Sequence, residues 1–269
     1  MLIDFHTHAF PDKIAERAIN NLSYASGGLI PQSDGTLEGL KSEMKKDGVD
    51  ISVVLGIATN PKQQANVNDF AAEMNKDDSI VAFGSVHPDA PDVFDEIERI
   101  KALGLKGVKL HPEYQNFFVD DNRMKKIYNK ISQLGLITIF HAGQDYGYNE
   151  PFRCMPENLA RALSWFDAPV VAAHWGGVGC GKEVLKHLCG KDIWFDVSFG
   201  YGRMPKSFAQ EIADKHTPDR LLFGSDMPWH RPSWEMRLIE SLDFSEEDKQ
   251  KIYYKNALKL LNIDKIEKN

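Results

Sequence analysis

The sequence predicts an α/β fold, a (β/α)8 TIM barrel that forms a single domain. Short apolar runs rich in β-forming residues alternate with polar, amphipathic stretches along the whole chain. This alternation is typical of parallel βαβ units. Eight apolar runs can be counted in the sequence, and eight such units close a barrel. The chain has 269 residues, which fits one barrel of roughly 250 residues.

Each predicted strand is short and is followed by a segment with helical periodicity. The strands are predicted at residues 2–8, 51–57, 80–87, 107–111, 137–141, 170–174, 193–199 and 221–226. The helices between them are predicted at residues 37–46, 66–75, 91–103, 123–134, 157–166, 183–188 and 205–216. Gly104 and Gly135 stand where helix C-caps are expected.

Two segments lie outside the regular alternation. Residues 10–35 form a long first connection, broken by Gly27, Gly28 and Pro31, and are predicted as an insertion over the barrel mouth. Residues 245–269 are predicted as C-terminal helices. No composition shift or linker marks a second domain, so residues 1–269 are expected to fold as one barrel.

The composition narrows the class of partner. The formal net charge is -7 and no basic run occurs, so a nucleic-acid partner is not expected. No apolar run approaches the ~20 residues of a membrane helix, and no signal peptide is recognised. Three cysteines without a C-x-x-C pair favour a reducing cytoplasm over a disulfide framework.

Alternation along the strands predicts which side chains face the barrel interior, because successive side chains of a strand point to opposite faces. The interior is predicted to receive Asp4, His6, His8, Lys109, His111, Val170, Ala172, His174, Asp196 and Ser198. The helices are predicted to cover Ile3, Phe5, Thr7, Val108, Leu110, Ile193, Phe195, Val197 and Phe199.

Histidines concentrate at the carboxyl ends of the predicted strands. Of nine histidines in the chain, six end a strand: His6, His8, His87, His111, His141 and His174. In barrels this end carries the catalytic residues. His187 and His216 lie in or beside helices and are expected in solvent.

His6 and His8 are the first candidate metal ligands. They are two residues apart on one strand, so their side chains share a face with origins roughly 6.5 Å apart. This spacing lets two imidazoles bind one ion at Zn–N distances of about 2.0–2.1 Å. The alternative is a pair of inward polar residues satisfied by Asp4 or Lys109. Histidines ending strands 5 and 6 and Asp226 ending strand 8 favour the metal.

Several runs together resemble the amidohydrolase superfamily. They are IDFHTH at residues 3–8, GVKLHP at 107–112, IFHAG at 139–143, AHWGG at 173–177, LFGSDMPW at 222–229 and KNA at 255–257. The likeness covers essentially the whole chain, in order. It is closest to the amidohydrolase-related branch that contains aminocarboxymuconate-semialdehyde decarboxylase, and the His-x-His start differs from members that begin Glu-x-His.

The resemblance implies a metal-dependent hydrolase or non-oxidative decarboxylase. His6, His8, His141 and Asp226 would bind one divalent metal, with zinc expected and manganese as the alternative. His174 would act as the general acid or base beside a water held by the ion, and Asp226 could also take a proton. The alternatives for His174 are a fifth ligand or an orienting hydrogen-bond partner. The resemblance further implies a homodimer. Three arginines in loops at the catalytic end of this net acidic chain predict a small, carboxylated substrate.

Further residues at the same end are candidates for contacting substrate. Lys109 could bridge two metals after carbamylation, pair with Asp4 or Asp196, or reach an anionic substrate. His111 could touch substrate or pack under a loop. Three arginines lie in the predicted loops, and their guanidinium groups could bind a carboxylate: Arg153, Arg203 and Arg231. Two tryptophans, Trp175 and Trp229, could stack on a flat substrate or pack under the loops.

Two other functions compete with this interpretation. A phosphoesterase of the polymerase-and-histidinol-phosphatase type also opens with His-x-His, but it ends in Asp-x-His, and residue 228 is proline here. A non-catalytic metal-binding or ligand-binding barrel is the third possibility. Residues 176–182 match a G-x-x-x-x-G-K phosphate loop, but Glu183 follows in place of Ser or Thr, so that motif is rejected.

Overall fold

The computed structural model describes residues 1–263, and these form the predicted alternation of strands and helices. The strands are β1 (Ile3–Thr7), β2 (Ile51–Leu55), β3 (Ile80–Phe83), β4 (Gly107–Leu110), β5 (Ile137–Phe140), β6 (Val170–Ala172), β7 (Trp194–Asp196) and β8 (Leu221–Leu222).

The helices follow the strands in the order expected of βα units. They are α1 (Asp12–Ala25), α2 (Leu37–Asp47), α3 (Gln64–Met74), α4 (Val93–Ala102), α5 (Met124–Gln133), α6 (Pro156–Ala162), α7 (Gly181–His187), α8 (Lys206–His216), α9 (Pro232–Ser241), α10 (Glu246–Gln250) and α11 (Asn256–Leu261). Short 3-10 turns occupy Leu163–Trp165 and Pro218–Arg220, and a π-helical turn at Lys251–Lys255 joins α10 to α11.

The strands form two parallel sheets whose edges are joined by backbone contacts. The order is β1-β2-β3 in one sheet and β4-β5-β6-β7-β8 in the other. A parallel bridge between Gly84 and Val108 joins β3 to β4, and a bridge between Thr7 and Met227 joins the chain after β8 to β1. These contacts bring the eight strands into a ring, and the TIM-barrel prediction is confirmed.

The buried residues form two layers. The outer layer lies between strands and helices and contains Val108 and Leu110 as predicted, together with Phe195 and Val197. The inner cluster consists mainly of strand residues, such as Ile137 and Ile139. Ala257 and Leu261 of α11 also belong to this inner cluster. Helices α10 and α11 lie within residues 245–269, where C-terminal helices are predicted, and residues 264–269 of that prediction lie outside the described residues.

The predicted orientation of Ile3 and Phe5 was wrong. Both belong to the inner cluster, and the Phe5 ring meets the Phe83 ring edge-on, with centroids 5.9 Å apart. The pairing of β1 with β2 shifts register between Asp4 and Thr7. Such a bulge inserts an extra residue and breaks the two-residue alternation, so a strict count from Ile3 to His8 assigns the wrong faces.

The predicted strands β6 and β8 extended too far at their carboxyl ends. β6 ends at Ala172 and β8 at Leu222, so His174 and Asp226 belong to the loops that follow. Val170 and Ala172 pack in the outer layer rather than facing inward. The alternation therefore cannot be extended from these strands to His174.

The insertion at residues 10–35 contains α1 and returns to its start, where Phe10 N donates to Gly35 O at 2.8 Å. Gln32 N donates to Pro228 O at 2.6 Å, and Ala25 lies beside Gly147. The insertion therefore contacts the loops after β8 and β5, which supports the prediction that it covers the mouth. No helix among residues 1–263 is long and apolar enough to cross a membrane.

Candidate metal centre

The residues predicted to bind metal lie at the carboxyl end of the barrel. His6 is on β1, His8 directly follows it, and His141 directly follows β5. His174 and Asp226 have backbone φ values of 60° and 71°. Non-glycine residues rarely adopt this left-handed conformation, and it concentrates at functional sites. The two turns redirect both side chains after the strands have ended.

The hydrogen bonds of His6 and His8 determine which ring nitrogen carries the proton. His6 Nδ1 lies 2.8 Å from Asp196 Oδ2, and His8 Nδ1 lies 2.8 Å from Leu55 O. A carboxylate and a carbonyl oxygen only accept hydrogen bonds. In a neutral ring Nδ1 is therefore the N–H donor, and Nε2 of each ring presents its lone pair.

His141 and His174 are held in the same manner. His141 Nε2 donates to Gln144 O at 3.1 Å, which leaves Nδ1 without a proton in the neutral ring. Ser198 Oγ donates to Asp196 Oδ1 in a short hydrogen bond. Because its single proton is used there, the hydroxyl accepts from His174 Nδ1 at 2.9 Å, and His174 Nε2 is the proton-free atom.

These proton-free atoms face one another. His6 Nε2 and His8 Nε2 lie 3.4 and 3.2 Å from Asp226 Oδ1. His174 Nε2 lies 3.2 Å from His141 Nδ1. Acceptors that converge in this way repel one another unless a proton or a cation lies between them. Imidazole and carboxylate ligands anchored through their far atoms are the donor set of a divalent metal, so the residues fit the predicted ion.

Burial keeps the rings able to bind metal. Desolvation by burial lowers the pKa of His6 and of His174 well below the usual histidine value, and metal binding requires neutral imidazole. Burial alone would raise the pKa of Asp226, but the His8, His6 and Lys109 side chains around the carboxylate outweigh this effect and the pKa falls. The carboxylate form is therefore favoured.

Lys109 faces the interior, as predicted, with Nζ 3.5 Å from His6 Nε2. Burial lowers the pKa of its ammonium group to about 8, against the opposing pull of Asp196 and Asp226. The side chain thus lies at the metal centre and not beside Asp4, which instead accepts hydrogen bonds from Ser225.

Among residues 1–263, two groups of three side chains have ligand atoms within 4.8 Å of one another. His6, His174 and Asp226 form the first group. His174 thus lies closer to the proposed metal ligands than expected of a residue that transfers protons without binding the ion. His8 and His141 each contact one member of this group, Asp226 and His174 respectively.

The second group consists of His111, His141 and Asp145. His111 Nδ1 accepts from Tyr114 N at 3.4 Å, so its Nε2 carries the proton and faces Asp145 Oδ2 at 3.4 Å. The N–H groups of both histidines point toward the carboxylate. These polar contacts place Asp145 of the loop after β5 beside the two histidines. His111 itself is stacked between Tyr114 and His141, with centroids 3.6 and 4.2 Å away.

A cavity of about 250 Å³ opens beside His174. Trp175, Tyr146, Phe199 and Arg203 contribute to its lining. The Arg203 guanidinium carbon lies 5.6 Å from the Tyr146 ring centroid and 5.3 Å from that of Phe199. Of the three predicted loop arginines, Arg203 is therefore the one at the cavity next to the metal centre.

Arg231, predicted to contact substrate, is instead engaged in ion pairs within the protein. Its Nη2 atom lies 2.9 Å from Glu43 Oε2 and 3.2 Å from Asp47 Oδ1. Both carboxylates belong to α2, so this guanidinium is neutralised within the protein and joins α2 to the start of α9. The loop position alone could not reveal these partners.

Arg153, Trp175 and Trp229 have different surroundings. Arg153 donates to Asn116 Oδ1 at 2.9 Å and is not among the residues lining the cavity. Trp175 is fully buried, and its Nε1 lacks a hydrogen-bond partner among the described residues. Trp229 is half-buried and does not line the cavity. Of these three residues, only Trp175 lines the cavity beside His174.

His216 was wrongly predicted to lie in solvent. It is buried, its Nε2 donates to Ile193 O at 2.9 Å, and its ring stacks on Phe195 with centroids 3.8 Å apart. Burial lowers its pKa to about 4. The residue is a structural connection between α8 and the start of β7.

Sequence reasoning missed the partners that orient the site. Asp196 and Ser198 were predicted to face inward, but no role was assigned to them. The alternation in β7 was the signal that could have found them, because it places both beside the histidines. Asp145 and Tyr146 lie in the loop after β5, where no periodicity reports on side-chain direction. Glu235 lies on α9, and a buried glutamate on a helix could not be distinguished from a solvated one by residue type.

The barrel and the four anchored histidines with Asp226 define a metal-binding enzyme of the TIM-barrel class. The family model described as amidohydrolase matches residues 3–263. The chain therefore belongs to the amidohydrolase family, whose members are metal-dependent enzymes, and the phosphoesterase alternative is not favoured. No curated protein matches the chain.

Solved structures of the same fold have low sequence identity. An uncharacterized TIM-barrel protein from Bordetella bronchiseptica has a TM-score of 0.76 at 19% identity, covering 97% of this chain and 98% of the other. A 2,6-dihydroxybenzoate decarboxylase complexed with 2,6-dihydroxybenzoate has a TM-score of 0.74 at 14% identity, covering 97% of this chain and 99% of the other. A probable 2-pyrone-4,6-dicarboxylic acid hydrolase from Acinetobacter baumannii, with citric acid bound, has a TM-score of 0.69 at 20% identity, covering 97% of this chain and 99% of the other.

Proposed function

We propose that the chain is a metal-dependent hydrolase or non-oxidative decarboxylase of a small carboxylated organic compound, with His174 as its proton-transfer residue. The observation that carries this proposal is the position of His174. It lies between the proton-free atoms of the metal centre and the cavity that holds Arg203. Structural relatives described as a decarboxylase and as a probable dicarboxylic acid hydrolase support the substrate class.

The residues around His174 favour proton transfer at its Nε2 atom. Asp196 accepts from Ser198, and Ser198 accepts from His174 Nδ1. This chain fixes the ring orientation and the neutral tautomer, so that Nε2 can take a proton from water or return one to the product. A protonated ring would be stabilised through the hydroxyl by the Asp196 carboxylate.

The cavity favours an anionic ligand. Arg203 brings a permanent positive charge, and the rings of Tyr146 and Phe199 beside it can pack against the flat part of an organic acid. A bidentate guanidinium–carboxylate contact fixes the orientation of the ligand as well as its affinity. The carboxyl group would thereby be held on the side of the cavity that His174 lines.

His6, His8, His141 and Asp226 are the proposed ligands of one divalent ion, with zinc as the expected metal and manganese as the alternative. Such an ion would polarise the substrate or a water molecule. A cytoplasmic location and a homodimer belong to the same proposal. Free cysteines at positions 154, 180 and 189 support the location.

A substrate screen would test the proposal and separate the two reactions. The metal-loaded protein would be incubated with carboxylated aromatics, semialdehydes and lactones, and release of CO₂ would be scored separately from release of acid. Turnover of a carboxylated compound that depends on His174 is expected. Turnover confined to phosphate esters, or a metal-loaded protein inert towards all three substrate groups, would contradict the proposal.

A further inference from the structure

Glu235 is a buried carboxylate on α9 that plays no part in the metal centre. Only 1% of its surface is exposed. Its Oε1 accepts from His230 Nδ1 at 2.7 Å. Its Oε2 accepts from the backbone N–H groups of Gly200 and Tyr201 at 3.1 and 3.0 Å. A buried carboxylate with three donors is a strong and directional anchor.

These contacts connect two loops at the mouth of the barrel. His230 follows β8, whereas Gly200 and Tyr201 belong to residues 197–205 after β7, called here the β7 loop. The His230 ring also packs against Phe199, with centroids 4.3 Å apart. Glu235 therefore holds the β7 loop against the chain that carries Asp226.

The anchored turn determines the position of Arg203. Phe199 has a φ of 57°, a strained conformation that needs support from its surroundings. Gly200 O accepts from Arg203 N at 3.0 Å and from Met204 N at 2.9 Å. A Cβ atom at Gly200 would approach Trp175 Nε1 to 2.4 Å, so the turn is also packed tightly from below. The backbone of Arg203 is thus tied to the peptide that Glu235 holds.

We propose that Glu235 is a positioning residue that sets substrate affinity by fixing the β7 loop, and with it the guanidinium of Arg203, at the cavity beside His174. The inference rests on the proposed function in one respect, the anionic ligand. The remainder of the turn, from Tyr201 to Arg203, is exposed. Without the Glu235 carboxylate, this segment retains local backbone bonds such as that from Arg203 N to Gly200 O, and the contacts of the Arg203 guanidinium with the Tyr146 and Phe199 rings.

The experiment compares Glu235→Gln with Glu240→Gln in the metal-loaded protein. Glu240 lies on the same helix but contacts Lys249 and Tyr253, away from the cavity, so it is a matched control. Hydrogen–deuterium exchange is measured by mass spectrometry on peptides covering residues 197–205, and isophthalate binding is measured by calorimetry. A hydrogen bond to a charged group contributes about 1.5–3 kcal/mol. Exchange of the β7 loop is therefore expected to accelerate about tenfold or more in Glu235→Gln only.

Binding of isophthalate distinguishes positioning from general support of the fold. Glu235→Gln is expected to weaken isophthalate binding about tenfold while metal content stays unchanged. In an Arg203→Gln background the same substitution is expected to have no further effect on binding, although it still accelerates exchange. An equal loss of affinity with and without Arg203 would overturn the proposal, as would unchanged exchange of the β7 loop.

A second variant keeps the test decisive if Glu235→Gln does not fold. His230→Gln leaves the carboxylate and its two backbone bonds in place but removes the imidazole against Phe199, and a smaller acceleration confined to the β7 loop is expected. No acceleration would contradict the proposed anchor. If the unaltered protein does not bind isophthalate, the anionic-ligand part of the proposed function fails, while the exchange measurement still decides whether Glu235 holds the loop.

Discussion

The Nε2 atom of His174 lies 3.2 Å from the Nδ1 atom of His141, and the hydrogen bonds on the far side of each ring leave both atoms without a proton. Two lone pairs in this position repel one another unless a proton or a metal ion lies between them. The same relationship recurs between His8 and Asp226. The anchoring of the rings therefore supports the proposed metal centre as much as the identity of the proposed ligands does.

Removing a predicted ligand should remove metal and activity together. Loss of a residue that only orients a metal ligand can lower metal affinity by up to ~100-fold. We expect His6→Ala and Asp226→Ala to lower metal affinity by more than this, because each removes a proposed ligand. Elemental analysis of the purified variants measures the metal content per chain. The unaltered protein, analysed in parallel, is expected to contain one ion per chain. His187→Ala, which alters a half-buried histidine of α7, serves as the control.

Full metal occupancy in either variant would show that the residue is not a ligand. Two ions per chain together with a carbamylated Lys109 would replace the single-ion centre by a bridged one. The position of Lys109 Nζ near His6 makes this a direct check of the single-ion prediction.

Arg203 and Arg231 should behave differently although both follow barrel strands. Arg203→Gln should weaken binding of an aromatic dicarboxylate such as isophthalate by roughly tenfold to a hundredfold, because a guanidinium–carboxylate contact is lost. Arg231→Gln should leave binding unchanged and lower the melting temperature, since the largely buried carboxylates of Glu43 and Asp47 lose the guanidinium, and Glu43 keeps only Lys46 as a cationic partner. Calorimetry and thermal unfolding separate the two effects.

If both variants bind isophthalate as the unaltered protein does, the cavity is not an anion site. If Arg231→Gln alone loses binding, the ion pair with α2 shapes the mouth more than the guanidinium of Arg203 does.

The regular part of the fold could be predicted from sequence, and the irregular part could not. Apolar runs report strands faithfully where the two-residue alternation persists, as at Val108 and Lys109. The alternation is lost at the β1 bulge and at the positive-φ turns of His174 and Asp226, because these depend on neighbours distant in the chain. Candidate ligands could be proposed from residue type, but the assignment of protons, the ion pairs of Arg231 and the contacts of Glu235 arise only from tertiary structure.

Burial of His216 should make the protein less stable in acid. Its pKa is lowered from 6.5 to about 4 by burial, and its Nδ1 accepts from Gly190 N at 3.2 Å, a bond that a protonated ring cannot keep. Between these pH values the unfolded chain binds a proton that the folded chain does not. The free energy of unfolding therefore falls as pH falls, by about 3 kcal/mol from this residue alone.

Urea unfolding measured between pH 7 and pH 4 checks this expectation. His216→Gln should be less stable at pH 7 but should lose less stability on acidification than the unaltered protein. An identical loss in both would mean that other groups cause the acid sensitivity.

His174 is expected to be catalytic without being a required metal ligand. His174 lies close to His6 and Asp226, near enough to bind the ion, so the experiment must distinguish a metal ligand from a proton-transfer residue. Three histidines and an aspartate already provide a complete set of protein ligands, and a positioned proton-transfer group contributes about 10²–10⁴-fold in rate. His174→Asn should therefore lower kcat by about that factor while metal content stays unchanged. Ser198→Ala removes the acceptor of His174 Nδ1 together with the hydroxyl contacts to Asp196 and His6. It should cost roughly tenfold, since the orienting hydrogen bond of His174 is lost. Metal analysis and steady-state kinetics on the same preparations give both quantities. Loss of metal in step with activity in His174→Asn would make His174 a ligand, and an unchanged kcat would assign the proton to Asp226 or to another group.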